Sequence, residues 1–185
     1  MILIRHGQSE FNVVYGETRQ DPGIEDPAIT ALGASQAHAA SEALVDQGIT
    51  RLISSPYKRA LQTASIIAEK LDLPISINPI VREHYAFSCD VGTSRAALAK
   101  AWPKIDFSLL DERWWPEEDE TDGLVKARGL SFLEETAALP DRESLAVVSH
   151  WGFIKSITGL RVTNGTVLRV DPDGRGVVVA KPDPC

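Results

Sequence analysis

Four side chains of this sequence, two imidazoles and two guanidiniums, are of the types that bind and attack a phosphate group. Arg5 and Arg59 can each offer planar, paired donors to phosphate oxygens, and both stay charged at any working pH. His6 can act as a covalent nucleophile, and His150 can supply a further donor. If the fold brings the four together, they can bind a phosphate dianion and stabilise the charge that develops during phosphoryl transfer.

Short apolar runs in the sequence predict the strands that would position these side chains. Residues 2–4, 52–53 and 145–148 form three such runs, and each is followed closely by one or two of the four residues. Open parallel sheets bind ligands at the carboxyl ends of their strands, where these residues would lie. We therefore expect one phosphate site at that edge of the sheet, and we expect a helix starting near Pro56 to add N–H groups to it.

The same chemistry needs a proton donor and a fixed imidazole tautomer. Glu83, just beyond the predicted third strand, is the candidate acid for the leaving alkoxide, although it could instead be only an ion-pair partner of Arg82. The neighbouring guanidiniums of Arg5 and Arg59 should disfavour the imidazolium form and keep His6 neutral near pH 7. A backbone carbonyl is expected to accept a hydrogen bond from the second ring nitrogen of His6.

Strands alternate with helices along the chain, which predicts a three-layer α/β/α sandwich with a mostly parallel central sheet. The chain is expected to form a single domain over residues 1–185. Thr30 is predicted to cap the second element, and the polar segment 8–26 is predicted to be a loop. The remaining predictions are helices at residues 31–47, 57–71, 96–101, 124–138 and 153–160, a third strand at 75–77, and an edge hairpin formed by 166–170 and 176–180.

Residues 84–122 show no sustained periodicity and are predicted to be an excursion from the scaffold that could act as a lid. Trp114 and Trp115 could contact an apolar substrate, but packing of the excursion onto the scaffold is the more ordinary use of such residues. The acidic run 117–120 is expected to be solvated.

Composition limits the classes of partner and location. The chain has 185 residues, 43% of them hydrophobic, with a net charge of −7 and no basic stripe, so a nucleic-acid partner is not expected. No apolar run is long enough to span a membrane, and no membrane partner is expected. The two cysteines, Cys89 and Cys185, have neither metal nor redox spacing, and together with the absence of a leader sequence they favour a reduced, cytoplasmic protein. The oligomeric state is left open.

Ordered motifs across the chain resemble those of the histidine phosphatase superfamily, also called the phosphoglycerate mutase-like family. They are Arg-His-Gly-x-Ser with a later Asn at 5–12, Thr-x-x-Gly-x-x-Gln-Ala at 30–37, Ser-Ser-Pro-x-x-Arg-Ala-x-Gln-Thr-Ala at 54–64, Arg-Glu at 82–83 and Val-Val-Ser-His at 147–150. The resemblance covers roughly residues 1–160. It implies a phosphohistidine on His6, an acid at Glu83, phosphate contacts from Arg5, Arg59, His150 and Asn12, and no metal or other cofactor.

The chain departs from the family pattern at two places. Trp151 stands where members usually have glycine, and a positive φ there would strain a tryptophan, although packing beside the pocket would not. The segment 84–87 lacks the sequence usual in glycolytic mutases, which favours hydrolysis of a phosphomonoester over mutase activity. A module that binds a phospholigand without turnover is the third alternative. The substrate is expected to be a small phosphorylated compound or a phosphoprotein.

Overall fold

A six-stranded sheet forms the centre of the computed structural model, which describes residues 1–182. Its strands are β1 (Ile2–Arg5), β2 (Arg51–Ser54), β3 (Ile75–Ile77), β4 (Leu145–Ser149), β5 (Val167–Val170) and β6 (Gly176–Ala180). They lie in the order β3-β2-β4-β1-β5-β6. The first four are mutually parallel, and β5 and β6 form an antiparallel hairpin beside β1. The predicted strands, their mainly parallel pairing and the edge hairpin are confirmed, while Cys185 lies outside the described residues.

Helices cover both faces of the sheet, which confirms the three-layer arrangement. They are α1 (Glu10–Thr18), α2 (Ala31–Leu44), α3 (Lys58–Leu71), α4 (Arg95–Ala101), α5 (Asp122–Ala137) and α6 (Trp151–Thr158). Residues such as Leu44 of α2 and Ile67 of α3 pack on one face with Ile2, and residues such as Phe132 of α5 and Phe153 of α6 pack on the other. Burial of these apolar side chains is the main force holding the three layers together.

The N-termini of α2 and α3 are set by different local interactions. Thr30 caps α2 by accepting a hydrogen bond from the Gly33 N–H at 3.0 Å, as predicted. For α3 the cap residue is Tyr57, so Pro56 precedes the helix rather than lying in its first turn. The first N–H of α3, on Lys58, donates to the Asp26 carboxylate at 2.8 Å. The Lys58 N–H is therefore already hydrogen-bonded, and it does not make the contribution to a phosphate site that the sequence predicted.

The prediction of a continuous loop over residues 8–26 is wrong, because α1 occupies half of this segment. Ser9 accepts a hydrogen bond from the Asn12 N–H at 3.3 Å, and its own N–H donates to the Asn12 side chain at 3.1 Å. This reciprocal cap defines the first turn of the helix. Phe11 is the only buried residue of α1, so the segment has almost no apolar periodicity to reveal it.

The excursion at 84–122 is fastened to the scaffold by aromatic packing and by one buried carboxylate. Trp114 is buried against Tyr57, with ring centroids 4.6 Å apart, and its indole N–H donates to the Thr93 carbonyl at 2.9 Å. Glu120 is not solvated as predicted for this acidic run, because Arg82 and Arg128 bind its two oxygens at 2.6 and 3.0 Å. These contacts anchor the C-terminal part of the excursion to the scaffold.

Candidate active site

A cavity of about 550 Å³ is lined by most of the residues that the sequence predicts for the site. Its lining includes Arg5, His6, Asn12, Arg59 and Glu83, which are contributed by or follow β1, α1, α3 and β3. It lies at the carboxyl ends of the parallel strands, as expected for this class of sheet.

Strand pairing sets the distance between the two histidines. In the parallel register of β1 and β4, Arg5 pairs with Ser149. His6 and His150 are the residues that directly follow these two on the neighbouring strands. Their ring centroids are 5.0 Å apart, close to the spacing of adjacent strands, which is about 4.8 Å. Both side chains are almost fully buried.

His6 is held as a neutral imidazole with one nitrogen free to react. Its Nδ1 lies 2.7 Å from the Gly7 carbonyl oxygen, which can only accept, so Nδ1 carries the proton and Nε2 keeps its lone pair. Burial lowers the pKa of His6 well below its usual range, and the charges of Arg59 and Arg5 lower it further. The predicted carbonyl acceptor is present, and the lowered pKa favours the predicted neutral form.

Side chains of the family-like motifs fix the loop of residues 6–9, here called the nucleophile loop. The Gly7 N–H donates to the Thr63 hydroxyl at 3.1 Å, and the Gln8 N–H donates to the Gln36 side chain at 2.8 Å. A Cβ at Gly33 would overlap the Gln8 carbonyl oxygen, so glycine is required where α2 meets this loop. The position of His6 therefore depends on residues far along the chain that do not line the cavity.

Each of the two arginines is held by hydrogen bonds to the protein that use only some of its N–H donors. Arg5 donates from Nη1 to the Val162 carbonyl at 2.8 Å, and its Nε is buried without a hydrogen-bond partner among residues 1–182. Arg59 donates from Nη1 to the Cys89 carbonyl at 2.7 Å and from Nη2 to Asp90 at 3.0 Å. Because a guanidinium has five N–H groups, three donors of Arg59 have no hydrogen-bond partner among residues 1–182 and could bind a ligand.

His150 lies behind His6 and is not part of the cavity lining. Its Nε2 is 2.7 Å from the Ser55 hydroxyl, while its Nδ1 is buried with no hydrogen-bond partner in the part of the chain that the structure describes. Burial, followed by the charge of Arg59, lowers its pKa well below the usual range. Its contact with phosphate therefore stays a prediction.

Glu83 lines the cavity and is not an ion-pair partner of Arg82. Its Oε1 accepts from the backbone N–H groups of His84 at 2.9 Å and Gly152 at 2.8 Å. Burial raises the pKa of Glu83, and the negative charge of Asp90 raises it further. Since Arg82 binds Glu120 instead, the ion-pair alternative is wrong.

Two residues that the sequence reasoning missed complete the site. Asp90 is buried and accepts hydrogen bonds from the N–H groups of Ala86 and Phe87 at 3.2 and 3.1 Å, besides its ion pair with Arg59. Asn164 donates to the His6 carbonyl at 3.1 Å and to the Asn12 side chain at 3.0 Å. Asn164 belongs to an Asn-Gly pair, a turn signal that could have drawn attention to it.

Trp151 is accommodated without strain because it begins α6 and does not have a positive φ. It lines the cavity, as expected for packing beside a pocket. The next residue, Gly152, must be glycine to leave room for Glu83, because a Cβ at Gly152 would lie 2.5 Å from Oε1 of Glu83. His84 also lines the cavity, whereas Trp114 and Trp115 do not.

Comparison with known proteins places the chain in a family. The model of the histidine phosphatase superfamily (branch 1) matches residues 1–177. The chain therefore belongs to the histidine phosphatase superfamily.

Individual relatives include both phosphatases and mutases by name. The chain is 32% identical over 181 residues to a glucosyl-3-phosphoglycerate phosphatase of Mycolicibacterium vanbaalenii, covering 91% of this chain and 78% of that protein. It is 30% identical over 190 residues to a probable phosphoglycerate mutase, GpmB, of Proteus mirabilis, covering 91% and 83%. A solved mycobacterial glucosyl-3-phosphoglycerate phosphatase with vanadate has the same fold, with a TM-score of 0.64, 24% identity and 96% of each chain covered.

Proposed function

We propose that this protein hydrolyses phosphomonoesters through a covalent phosphohistidine on Nε2 of His6. The observation that carries the proposal is the hydrogen bond from Nδ1 to the Gly7 carbonyl at 2.7 Å, which leaves Nε2 as the unprotonated nitrogen beside the cavity. A buried imidazole with a lowered pKa is a competent nucleophile at neutral pH. Membership of the histidine phosphatase superfamily agrees with this chemistry.

The first chemical step forms the N–P bond and breaks the ester P–O bond. The lone pair of His6 Nε2 attacks phosphorus, and the leaving alkoxide takes the proton of Glu83. The equatorial oxygens of the phosphoryl group are proposed to be bound by Arg5, Arg59, Asn12 and the neighbouring His150. Positive charge and N–H donors at these oxygens stabilise the transition state.

The second step returns the enzyme to its starting state. Glu83, now a carboxylate, removes a proton from water, and the resulting oxygen attacks the phosphorus of the phosphohistidine. The N–P bond breaks, inorganic phosphate leaves, and His6 recovers its neutral imidazole with the proton still on Nδ1. The raised pKa of Glu83 favours the protonated form that the first step requires.

Phosphate release from p-nitrophenyl phosphate, measured with EDTA between pH 5 and pH 8, tests this proposal. The parent protein should release phosphate, His6→Ala should release none, and His38→Ala, at an exposed position on α2, should behave as the parent. Acid-labile phosphate on the peptide that contains His6 should be trapped by rapid quenching. Undiminished turnover by His6→Ala, or loss of activity in EDTA, would contradict the mechanism.

Mutase activity is the second candidate, because one of the relatives carries a mutase name. It would require exchange of phosphate within a phosphorylated acid, stimulated by a diphosphorylated primer. The substrate panel should therefore contain phosphoglycerates with and without primer, and also glucosyl-3-phosphoglycerate, the substrate in the name of the Mycolicibacterium relative. A module that binds phosphate without turnover is disfavoured, because it has no use for both a nucleophile and an acid.

The proposed substrate is a small phosphorylated compound or a phosphoprotein. A cytoplasmic location is proposed from cysteine usage. Cys89 is buried, and burial raises the pKa of its thiol, which makes it unreactive. Within residues 1–182, no helix combines the length and apolar character needed to cross a bilayer.

A further inference from the structure

Three aromatic rings that line the cavity pack against one another and form what we call the aromatic wall: Phe11, Tyr15 and Phe87. Phe11 and Tyr15 lie one turn apart on α1, with ring centroids 5.3 Å apart and an interplanar angle of 14°. Phe87 meets them from the segment after Glu83, at 5.7 Å from Phe11 and 5.2 Å from Tyr15. Two chain segments thus combine their rings on one side of the reaction centre.

The aromatic wall is not an ordinary piece of core, because one of its rings is open. Phe87 is 40% exposed while it lines the cavity, whereas Phe11 is only 5% exposed. Apolar surface that stays open inside a concave site is the usual signature of a ligand-binding face. The open ring therefore offers a contact for the part of a substrate that is not phosphate.

The position of Phe87 is tied to the phosphate-binding end of the cavity. The Phe87 N–H donates to Oδ2 of Asp90 at 3.1 Å, and Oδ1 of the same carboxylate binds Arg59 at 3.0 Å. Asp90 is 1% exposed, so both contacts are shielded from water. A substrate whose phosphate binds Arg59 therefore finds the aromatic wall at a fixed offset from the reacting phosphorus.

The size of the cavity agrees with a bulky alcohol. Its volume of about 550 Å³ is typical of sites for whole small molecules. A phosphate with a two- or three-carbon alcohol would fill only a small part of it and leave the aromatic wall against water.

We propose that the preferred substrate is a phosphomonoester of an alcohol that carries a flat, apolar ring, and that this ring lies on the aromatic wall. The inference rests on the proposed function, since it names the substrate class of the same site. Offset or edge-on packing of a substrate ring on Phe87 would lower the energy of the bound transition state by burying apolar area and by favourable ring–ring geometry.

A series of alkyl phosphates with equally poor leaving groups tests the inference without confusing ring binding with leaving-group reactivity. In ethyl, benzyl and 2-naphthylmethyl phosphate, the oxygen that leaves is attached to a saturated carbon in every case. We expect kcat/KM to increase along the series, by about 10-fold or more from ethyl to naphthylmethyl phosphate.

Two variants connect the preference to the aromatic wall. Phe87→Ala should reduce the naphthylmethyl-to-ethyl ratio of kcat/KM by about 10-fold. Leu109→Ala, at a side chain 99% exposed and absent from the cavity lining, should leave the ratio unchanged. Because Phe87 is itself partly exposed, its replacement should keep the folded structure, which a thermal melt verifies.

The outcomes separate the inference from the proposed function. Hydrolysis of ethyl phosphate with no gain for the ring esters, or a ratio that persists in Phe87→Ala, overturns the inference and leaves the phosphatase standing. Absence of hydrolysis of every ester, including p-nitrophenyl phosphate, overturns the proposed function itself.

Discussion

Replacing Gly152 by alanine should move the proposed acid away from the leaving group. The added Cβ would lie 2.5 Å from Oε1 of Glu83 and 2.7 Å from the Cβ of His84, whereas ordinary contacts begin at 3.4 Å. The carboxyl group is the end of a flexible side chain, so it should retreat by about 1 Å, and displacements of that size cost on the order of 100-fold in rate. The 2.8 Å hydrogen bond from the Gly152 N–H would also be weakened.

The choice of substrate isolates this effect. For ethyl phosphate, whose alkoxide must be protonated, kcat/KM should fall about 100-fold in Gly152→Ala. For p-nitrophenyl phosphate the loss should be much smaller, because the phenolate leaves without a proton and kcat/KM reports the first step. Gly123→Ala on α5, where the nearest contact is 3.7 Å, is the matched control and should affect neither substrate. Equal losses for both substrates would refute the assignment of Glu83 as the acid.

Three further results are expected. Gly33→Ala, which overpacks the junction between α2 and the nucleophile loop, should destabilise the protein by about 1–3 kcal/mol and lower kcat for every substrate. In Asp90→Asn, the high-pH limb of kcat/KM should move to lower pH, because burial and the Asp90 charge together raise the pKa of Glu83 and only burial would remain. Stability should fall as the pH drops below about 6.5, because His6 and His150 have lowered pKa values when folded and the unfolded chain binds protons first.

Each of these expectations has a simple check. Chemical denaturation of Gly33→Ala beside Gly123→Ala separates overpacking from a general effect of alanine. The pH profile of Asp90→Asn needs a substrate that requires protonation, and an unmoved limb would show that the Asp90 charge does not reach the acid. Thermal melts from pH 8 to pH 5 should show a weaker pH dependence in His6→Asn; an identical slope would rule out a contribution from that histidine.

The sequence predicts much of the chemistry because strand ends are the best-determined points of this fold. The apolar runs around Ile4 and Val148 have one plausible role as buried strands, and parallel pairing then brings His6 and His150 together without any knowledge of the loops. Arg59 is predictable for the related reason that it follows β2 in the first turn of α3.

The rest of the site depends on contacts that no local pattern encodes. Asp90 acts through loop hydrogen bonds and a buried ion pair that form only once the excursion has packed. The helix α1 is hard to predict because it buries Phe11 alone, and its cap is formed by only two side chains, Ser9 and Asn12, in a polar segment. Glu120 is sequestered by two arginines from distant elements, whereas its neighbours in the acidic run suggest a solvated surface.

The spacing of the two histidines has a consequence for which parts of this scaffold can change. Because the 5.0 Å separation of the His6 and His150 rings is inherited from the hydrogen bonding of β1 to β4, no side chain in the surrounding loops has to maintain it. Substitutions at Phe87 can therefore change the wall of the cavity without altering the spacing of the two histidines. A scaffold of this kind can therefore acquire new specificities through its loops, because the backbone ladder already fixes the spacing of the two histidines.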